Sequence, residues 1–179
     1  MSCSDKKKVV FLDRDGVINV EKNYLYKIDD FEFIDGVFDS LRYLEDIGYK
    51  LIIVTNQSGI SRGYYTQDDF DKLTSWMLKT FKDEDINIEA VFLCPHGPDD
   101  HCLCRKPKIG MVEDAMKLFD IDFNNSWLIG DKGSDIQMAL NAGIKKTVQV
   151  KSGHKFDSEA SKADYVLDSI KDIIEVIKK

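Results

Sequence analysis

Two acidic residues, Asp13 and Asp15, stand two positions apart directly after the apolar run Val9–Leu12. Because residues i and i+2 of a strand face the same side, both carboxylates would point into one space. Ligands collect beyond the carboxyl ends of buried parallel strands, and Gly16 lets the chain turn away there. Carboxylates that repel each other favour a cation, and oxygen ligands suit Mg²⁺. The pair by itself is equally compatible with a solvated turn.

Three further segments carry polar residues that suit phosphate chemistry. Thr55-Asn56-Gln57-Ser58 follows a second apolar run and offers a hydroxyl, amides and free backbone N–H groups, which suit a phosphate. Arg105 and Lys106 place two cations side by side, and Asp131-Lys132 follows another apolar run. The order along the chain is therefore a carboxylate pair, a hydroxyl, a lysine and a further carboxylate.

A cysteine- and histidine-rich loop precedes the two cations. Three of the four cysteines of the chain lie within eleven residues. A Cys-x-His pair and a Cys-x-Cys pair can close a tetrahedral Zn²⁺ site without an open position for water, which is typical of a structural site. The predicted ligands are Cys94, His96, Cys102 and Cys104. His101 is the alternative imidazole ligand, and a disulfide or unligated cysteines are the competing interpretations.

In this interpretation the zinc ion orders a loop that could not become ordered by itself. The loop contains two prolines, a glycine and few apolar residues, so it cannot become ordered by burial. Zinc would fix the backbone two residues before Lys106 and thereby hold a catalytic cation in place. The sequence therefore predicts a zinc-stapled loop that shapes the mouth of the site.

Alternating elements must position these segments. Strands are predicted at 8–13, 50–55, 89–94, 126–130 and 146–150, with a short sixth strand at 165–167. Helices are predicted at 36–48, 66–83, 108–119, 134–142 and 169–178, and Thr66 and Asp69 form a capping-box pattern at the start of the second. This alternation indicates an α/β, doubly wound, mainly parallel sheet with right-handed crossovers. The intervals between the motifs leave no room for a large cap domain, so any lid would be short, and 1–179 is predicted to be a single domain.

Composition limits the partners. The chain has 179 residues, 43% of them hydrophobic, which fits one domain with a full core. A formal net charge of −7 argues against nucleic acid or an anionic membrane as the main partner. No apolar run approaches the roughly 20 residues that span a bilayer, and the first residues have no apolar signal core. A cytoplasmic monomer that binds neither nucleic acid nor membrane is expected.

The ordered motifs resemble the haloacid dehalogenase superfamily of phosphohydrolases over residues 9–150, which implies its Rossmann-like fold. The Cys/His loop, together with Thr-Asn-Gln-Ser-Gly and Cys-Arg-Lys-Pro, narrows the resemblance to the heptose-bisphosphate phosphatase and histidinol-phosphatase group. Asn23-Tyr24 and the segments 31–37 and 57–63 are most similar to the heptose enzymes. The ligand pairs are only five residues apart, however, which resembles the histidinol-phosphatase domain.

The resemblance implies an activity. It implies Mg²⁺-dependent hydrolysis of the 7-phosphate of a D-glycero-D-manno-heptose 1,7-bisphosphate, in the supply of nucleotide-activated heptose for lipopolysaccharide. Histidinol phosphate is the alternative substrate, although a rim arginine at position 105 would repel its cationic amine. A non-catalytic, zinc-stabilised binding module is the competing class, but it gives no reason for reactive groups at successive strand ends.

The resemblance also implies individual roles. Asp13 is the nucleophile that forms an aspartyl-phosphate, and Asp15 is the general acid and base. Mg²⁺ would be held by Asp13, the backbone carbonyl of Asp15 and Asp131. The catalytic set is completed by Thr55, Lys106 and Arg105, with Arg105 also gripping a second phosphate. Implied substrate contacts are Glu21, Lys22, Asn23, Tyr24, Asn56, Gln57, Ser58, Arg105, Lys106 and Lys132. Asp135 is left open between a helix cap and an orienter of a metal ligand.

Overall fold

The computed structural model describes residues 6–179. Six strands form one sheet in the order β3-β2-β1-β4-β5-β6, and every neighbouring pair is parallel. The strands are β1 (Val9–Leu12), β2 (Lys50–Asn56), β3 (Ile88–Cys94), β4 (Trp127–Gly130), β5 (Lys146–Val150) and β6 (Tyr165–Leu167). The predicted parallel sheet, including its short sixth strand, is confirmed.

Four α-helices connect the strands. They are α1 (Val37–Asp46), α2 (Gln67–Asp83), α3 (Gly110–Leu118) and α4 (Gly133–Ala142). The α2 helix begins with the predicted capping box, in which Asp69 N donates to Thr66 Oγ1 at 3.2 Å and Thr66 N donates to Asp69 Oδ2 at 2.9 Å. The sequence therefore predicted both the position and the capping of this helix correctly.

The chain end differs from the sequence prediction. A helix was expected over 169–178, but the structure forms a 3₁₀ helix at Ile170–Glu175, and another occurs at Ile28–Asp30. Ile170 and Ile173 lie three positions apart, the spacing at which side chains align in a 3₁₀ helix, and both are fully buried. Burying this isoleucine pair in a short segment favours the tighter helix.

Helices cover both faces of the sheet. Val10 and Leu12 of β1 pack in one apolar cluster with residues of α1 and α2, whereas Val9 and Phe11 pack in a second cluster with residues of α3 and α4. This arrangement confirms the doubly wound α/β prediction and explains why β1 is an unbroken apolar run. No helix among the described residues is long and apolar enough to cross a bilayer.

The sheet order places the motif-bearing strands side by side. β1 lies between β2 and β4, and β3 borders β2. Asp13 and Asp131 directly follow β1 and β4, and β2 and β3 end at Asn56 and Cys94. Because parallel strands all end on one edge, the polar residues that follow them converge at that edge.

Candidate active site

A cleft of about 350 Å³ opens at the carboxyl edge of the sheet. Most of the residues that the sequence predicted for the site line it, and five further residues join them. The predicted lining residues are Asp13, Asp15, Glu21, Asn23, Tyr24, Asn56, Gln57, Ser58, Arg105, Lys106 and Lys132. The further ones are Arg62, Tyr65, Ser134, Asp135 and His154.

Asp13 is held by one carboxylate oxygen. Its side chain is nearly buried, and Oδ1 accepts a hydrogen bond from Arg14 N at 2.8 Å and lies 3.0 Å from Lys106 Nζ. No described residue donates a hydrogen bond to its Oδ2. The carboxylate is therefore fixed in direction while one oxygen stays free to attack phosphorus or to bind a metal.

Lys106 is a buried cation paired with two carboxylates. Its Nζ lies 2.6 Å from Asp135 Oδ1 and 3.0 Å from Asp13 Oδ1, and it donates a hydrogen bond to Val54 O at 3.0 Å. Burial alone would lower the pKa of Lys106, but the two carboxylates outweigh it and raise the pKa. Lys106 therefore stays charged and holds Asp13 in place.

Asn56 fixes the backbone of Lys106. Its Oδ1 accepts a hydrogen bond from Lys106 N at 3.1 Å, which ties the end of β2 to the loop that carries the lysine. Asn56 lines the cleft, but its carbonyl oxygen is used within the protein. The amide predicted to contact substrate therefore also positions the backbone of Lys106.

Three buried carboxylates form a candidate metal centre. Oxygens of Asp13, Asp131 and Asp135 lie within 4.8 Å of one another, and Asp131 Oδ1 is buried without a hydrogen-bond partner among the described residues. Burial raises the pKa of Asp13, and the charge of Asp135 raises it further. Because Lys106 is the one cation among the described residues that pairs with Asp13 and Asp135, three carboxylates and one ammonium leave a formal charge of −2. An all-oxygen donor set with this charge fits Mg²⁺.

Asp135 is a helix cap as well as a partner of Lys106. Its Oδ2 accepts a hydrogen bond from Lys132 N at 3.0 Å at the start of α4. Its Oδ1 faces the Lys106 ammonium at 2.6 Å. Of the two roles left open by the sequence, the cap is formed, and the same carboxylate also pairs with Lys106.

Asp15 is surrounded by donors. Arg14 Nη2, Asn19 Nδ2 and Gln57 Nε2 donate to its carboxylate at 2.9, 2.9 and 2.8 Å. Burial would raise the pKa of Asp15, but the Arg14 guanidinium and these hydrogen bonds outweigh it, so the pKa is lowered. The structure thus presents a carboxylate, and a proton-donating role requires that Asp15 first take up a proton.

Gln57 links Asp15 to Thr55. Its Nε2 also donates to Thr55 Oγ1 at 2.9 Å, and its Oε1 accepts a hydrogen bond from the Tyr65 hydroxyl. The Thr55 hydroxyl proton has no acceptor among the described residues, and Thr55 is buried beneath the residues that line the cleft, not one of them. Burial raises the pKa of Tyr65 to about 12, which keeps it a neutral donor.

Two residues predicted to contact substrate form hydrogen bonds with neighbouring residues of the protein. Glu21 Oε1 accepts a hydrogen bond from Asn23 N at 2.9 Å and shapes the turn on which Tyr24 stands. Lys22 does not line the cleft, because its Nζ donates to Asp30 O at 2.9 Å and pairs with Glu32 at 3.2 Å. Of the four residues at 21–24 that were expected to contact substrate, three therefore line the cleft: Glu21, Asn23 and Tyr24.

The Cys/His loop brings four metal-ligating atoms together. The Sγ atoms of Cys94 and Cys104 lie 2.9 Å apart, and His96 Nδ1 lies 3.3 Å from Cys104 Sγ. Cys102 completes the cluster at 3.7 Å from Cys94, with all four ligand atoms within 4.8 Å of one another. The three described cysteines are free thiols, and His96, not His101, supplies the imidazole. This donor set fits Zn²⁺.

The loop is joined to the cleft through Arg105. Its Nη1 donates a hydrogen bond to His96 O at 3.0 Å, so the arginine is anchored on the backbone of a predicted zinc ligand. Arg105 also lines the cleft. Ordering the loop therefore orders a cation at the mouth of the site.

Comparison with known proteins identifies the family. A family model described as HAD-hydrolase-like matches residues 103–173. D-glycero-beta-D-manno-heptose-1,7-bisphosphate 7-phosphatase of Haemophilus influenzae is 43% identical over 179 residues, covering 96% of this chain and 97% of its own length. The chain belongs to this family of haloacid dehalogenase phosphatases. The predicted resemblance and the predicted class of enzyme are thereby confirmed.

Further relatives of this phosphatase agree with that assignment. D-glycero-alpha-D-manno-heptose-1,7-bisphosphate 7-phosphatase of Campylobacter jejuni is 52% identical over 150 residues, covering 84% of this chain and 86% of its own length. A crystal structure of D,D-heptose 1.7-bisphosphate phosphatase from B. bronchiseptica, complexed with magnesium and phosphate, has a TM-score of 0.82 and 27% identity and covers 94% of this chain and 96% of its own. Both anomers of the heptose thus occur among the names of its relatives.

Sequence reasoning missed several residues of the phosphatase site. Arg14 and Asn19, which hold Asp15, and Tyr65, which holds Gln57, were not predicted. Arg14 had a signal, because it stands between the two acidic residues of the first motif. His154 had a weaker one, since it follows the end of β5, the neighbour of β4, and so reaches the same edge of the sheet.

Proposed function

We propose that this phosphatase removes the 7-phosphate of a D-glycero-D-manno-heptose 1,7-bisphosphate through an aspartyl-phosphate on Asp13. The observation that carries the proposal is the direction of Asp13, whose Oδ1 is anchored by Lys106 while its Oδ2 has no donor among the described residues. The names of relatives that match nearly the whole chain support the substrate. The product would be the heptose 1-phosphate, a precursor of nucleotide-activated heptose for lipopolysaccharide.

The residues divide the reaction into two steps. Asp13 Oδ2 attacks phosphorus, the bond between phosphorus and the C7 oxygen breaks, and Asp15 gives a proton to the leaving oxygen. Water then attacks the phosphoryl group on Asp13 while Asp15 takes its proton, which releases inorganic phosphate. The Thr55 hydroxyl and the Lys106 ammonium would stabilise charge on the transferring group.

Two metal ions are part of the proposal. Mg²⁺, held by Asp13, Asp131 and the backbone carbonyl of Asp15, would reduce repulsion between the carboxylate and the phosphoryl oxygens. The orphaned Asp131 Oδ1 and the magnesium in a structural relative support it. Zn²⁺, held by the four Cys and His ligands, would order the loop that ends at Arg105, as the clustered free thiols and imidazole suggest.

Two cations support recognition of a second phosphate. Arg105 and Lys132 line the cleft, and neither forms an ion pair with a carboxylate among the described residues. We infer that Arg105 grips the 1-phosphate, because a guanidinium binds a phosphate bidentately. Histidinol phosphate has a cationic amine in place of that phosphate, and the same arginine would repel it.

We also infer a cytoplasmic monomer that is a single domain. The three described free thiols fit a reducing compartment. The acidic net charge disfavours nucleic acid and anionic membranes as partners.

One assay tests the substrate directly. The α and β anomers of heptose 1,7-bisphosphate and histidinol phosphate are compared by kcat/KM with Mg²⁺, and ³¹P NMR identifies the phosphate that remains on the sugar. We expect one of the bisphosphates to be the best substrate and the 1-phosphate to remain. A higher kcat/KM for histidinol phosphate would instead support the function suggested by the short spacing of the Cys/His pairs.

A further inference from the structure

The loop that follows β5 contacts Asp131 directly. Asp131 Oδ2 accepts two hydrogen bonds from one residue, from His154 N at 2.8 Å and from the His154 ring at Nδ1, 2.7 Å away. Because a carboxylate is an acceptor only, Nδ1 carries the proton of this second bond. A single residue therefore directs one oxygen of a predicted metal ligand.

Two glycines, Gly16 and Gly153, let the backbone approach the Asp131 carboxylate closely. A Cβ atom at Gly153 would lie 2.2 Å from Asp131 Oδ2, and one at Gly16 would lie 2.7 Å from the same oxygen. Ser152 Oγ donates to Gly16 O at 2.7 Å and joins the loop to the turn that follows Asp15. The contact between His154 and Asp131 is thus built into the packing of two loops.

The hydrogen bonds from His154 to Oδ2 also determine where the other carboxylate oxygen of Asp131, Oδ1, lies. With Oδ2 held by His154, Oδ1 is buried and has no hydrogen-bond partner among the described residues. Asp131 also offers a ligand atom within 4.8 Å of those of Asp13 and Asp135. Fixing Oδ2 therefore fixes the direction in which Oδ1 is presented.

We propose that His154 is a positioning residue that orients Asp131 for Mg²⁺. Partners of metal ligands commonly hold the ligand in its binding orientation, and their loss weakens metal affinity by about 10–100-fold. This inference rests on the proposed Mg²⁺ requirement, but not on the identity of the sugar. His154 also lines the cleft with 39% of its side chain exposed, so direct contact with substrate is the competing role.

The experiment measures Mg²⁺ binding without substrate. Zinc-loaded protein is titrated with MgCl₂, and the rise of the thermal unfolding midpoint gives the Kd for Mg²⁺. His154→Ala is expected to raise this Kd by about 10–100-fold. His154→Asn keeps a side-chain N–H near the position of Nδ1 and should recover most of the affinity. Lys155→Ala, an exposed neighbour on the same loop, is the matched control and should bind Mg²⁺ normally.

Steady-state kinetics separates the two roles of His154. For a positioning residue, the Mg²⁺ concentration needed for half-maximal activity rises, whereas KM for substrate at saturating Mg²⁺ changes little. An unchanged Kd for Mg²⁺ in folded His154→Ala, or a raised substrate KM with normal Mg²⁺ binding, would overturn the proposal. If His154→Ala does not fold, His154→Asn and His154→Gln are compared, and equal Mg²⁺ affinities in these two would overturn it.

The two proposals fail in different ways. Normal Mg²⁺ binding that His154→Ala does not weaken contradicts the positioning role alone. The expected loss of Mg²⁺ affinity in a protein that hydrolyses neither heptose bisphosphate contradicts the proposed substrate alone. Failure of the unmodified protein to bind Mg²⁺ contradicts both.

Discussion

Asp13 and Lys106 form a buried ion pair, with Nζ and Oδ1 3.0 Å apart and side chains that are 10% and 2% exposed. The pair joins the end of β1 to the loop after β3, and Asn56 holds the backbone of the lysine at 3.1 Å. The pair therefore fixes the carboxylate of the proposed nucleophile before any substrate arrives, which is the arrangement that lowers the cost of orientation in catalysis.

Asp13→Asn should reduce kcat by at least about 10⁴-fold, the scale of loss typical when a nucleophile is removed. The amide has nearly the same shape but cannot form the aspartyl-phosphate. Phosphate release and a thermal melt measure activity and fold together. Asp114→Asn, which changes a surface carboxylate paired with Lys117, should keep normal turnover. Near-native rates for Asp13→Asn would exclude the mechanism.

Lys106→Met should destabilise the Mg²⁺-free protein by about 3–5 kcal/mol, because it leaves buried carboxylates without their cation. Asp135→Asn in the same chain should recover part of that loss, since it removes one of the uncompensated charges. Urea unfolding of both single variants and the double variant gives the coupling energy. Strict additivity of the two changes would show that the 2.6 Å contact between Lys106 and Asp135 contributes nothing.

Cys102→Ser should lose the metal of the loop, because the site needs all four of its predicted ligands. Metal analysis is expected to find about one zinc per unmodified chain, and much less in the variant. Activity should fall although no catalytic group has changed, since Arg105 is anchored on His96 O. Cys3→Ser, at a position outside the described residues, is the control. Zinc-free unmodified protein, purified without chelator, contradicts the site.

Arg105→Ala should lower kcat/KM for heptose 1,7-bisphosphate far more than for a simple monophosphate ester. A truncated charge-assisted contact to phosphate costs about 1.5–3 kcal/mol, which is roughly 10–150-fold. Arg42→Ala removes a guanidinium paired with Asp39 and Glu84 and serves as the control. Equal losses on both substrates would place Arg105 in the phosphoryl-transfer step instead of in recognition of the second phosphate.

Asp69 should make helix α2 sensitive to acid. Hydrogen bonds from Thr66, from its backbone and then its side chain, hold the pKa of Asp69 below the usual value of an aspartate. Because the folded pKa is the lower one, the stabilisation is complete above the unfolded pKa and is lost as pH falls through the folded value. The difference in unfolding free energy between the native chain and Asp69→Asn should therefore shrink as pH is lowered from 6 towards 3.

That difference is measured by urea unfolding at each pH. Asp71→Asn, in the same helix but outside the capping box, is the matched control. A difference for Asp69→Asn that grows on acidification would contradict the direction of the pKa shift.

The sequence by itself determined the fold class and the principal chemical groups. Apolar runs that alternate with helical patterns predict a parallel sheet, and parallel strands end on one edge, so Asp13, Thr55 and Asp131 had to converge. Short-range spacing likewise predicted the four Cys and His ligands, which lie on one loop next to the end of β3. These features depend on chain periodicity and local spacing, which the sequence contains directly.

Only the tertiary structure decided which side chains contact one another at the site. Arg14 and Gln57 bind Asp15, and His154 binds Asp131 from a loop that carried no predicted motif. Lys22, predicted to contact substrate, pairs with Glu32 and does not line the cleft. Such choices depend on the rotamers and on which loops meet in space. Contacts between residues distant in sequence are set by packing of the whole chain, and local pattern does not contain them.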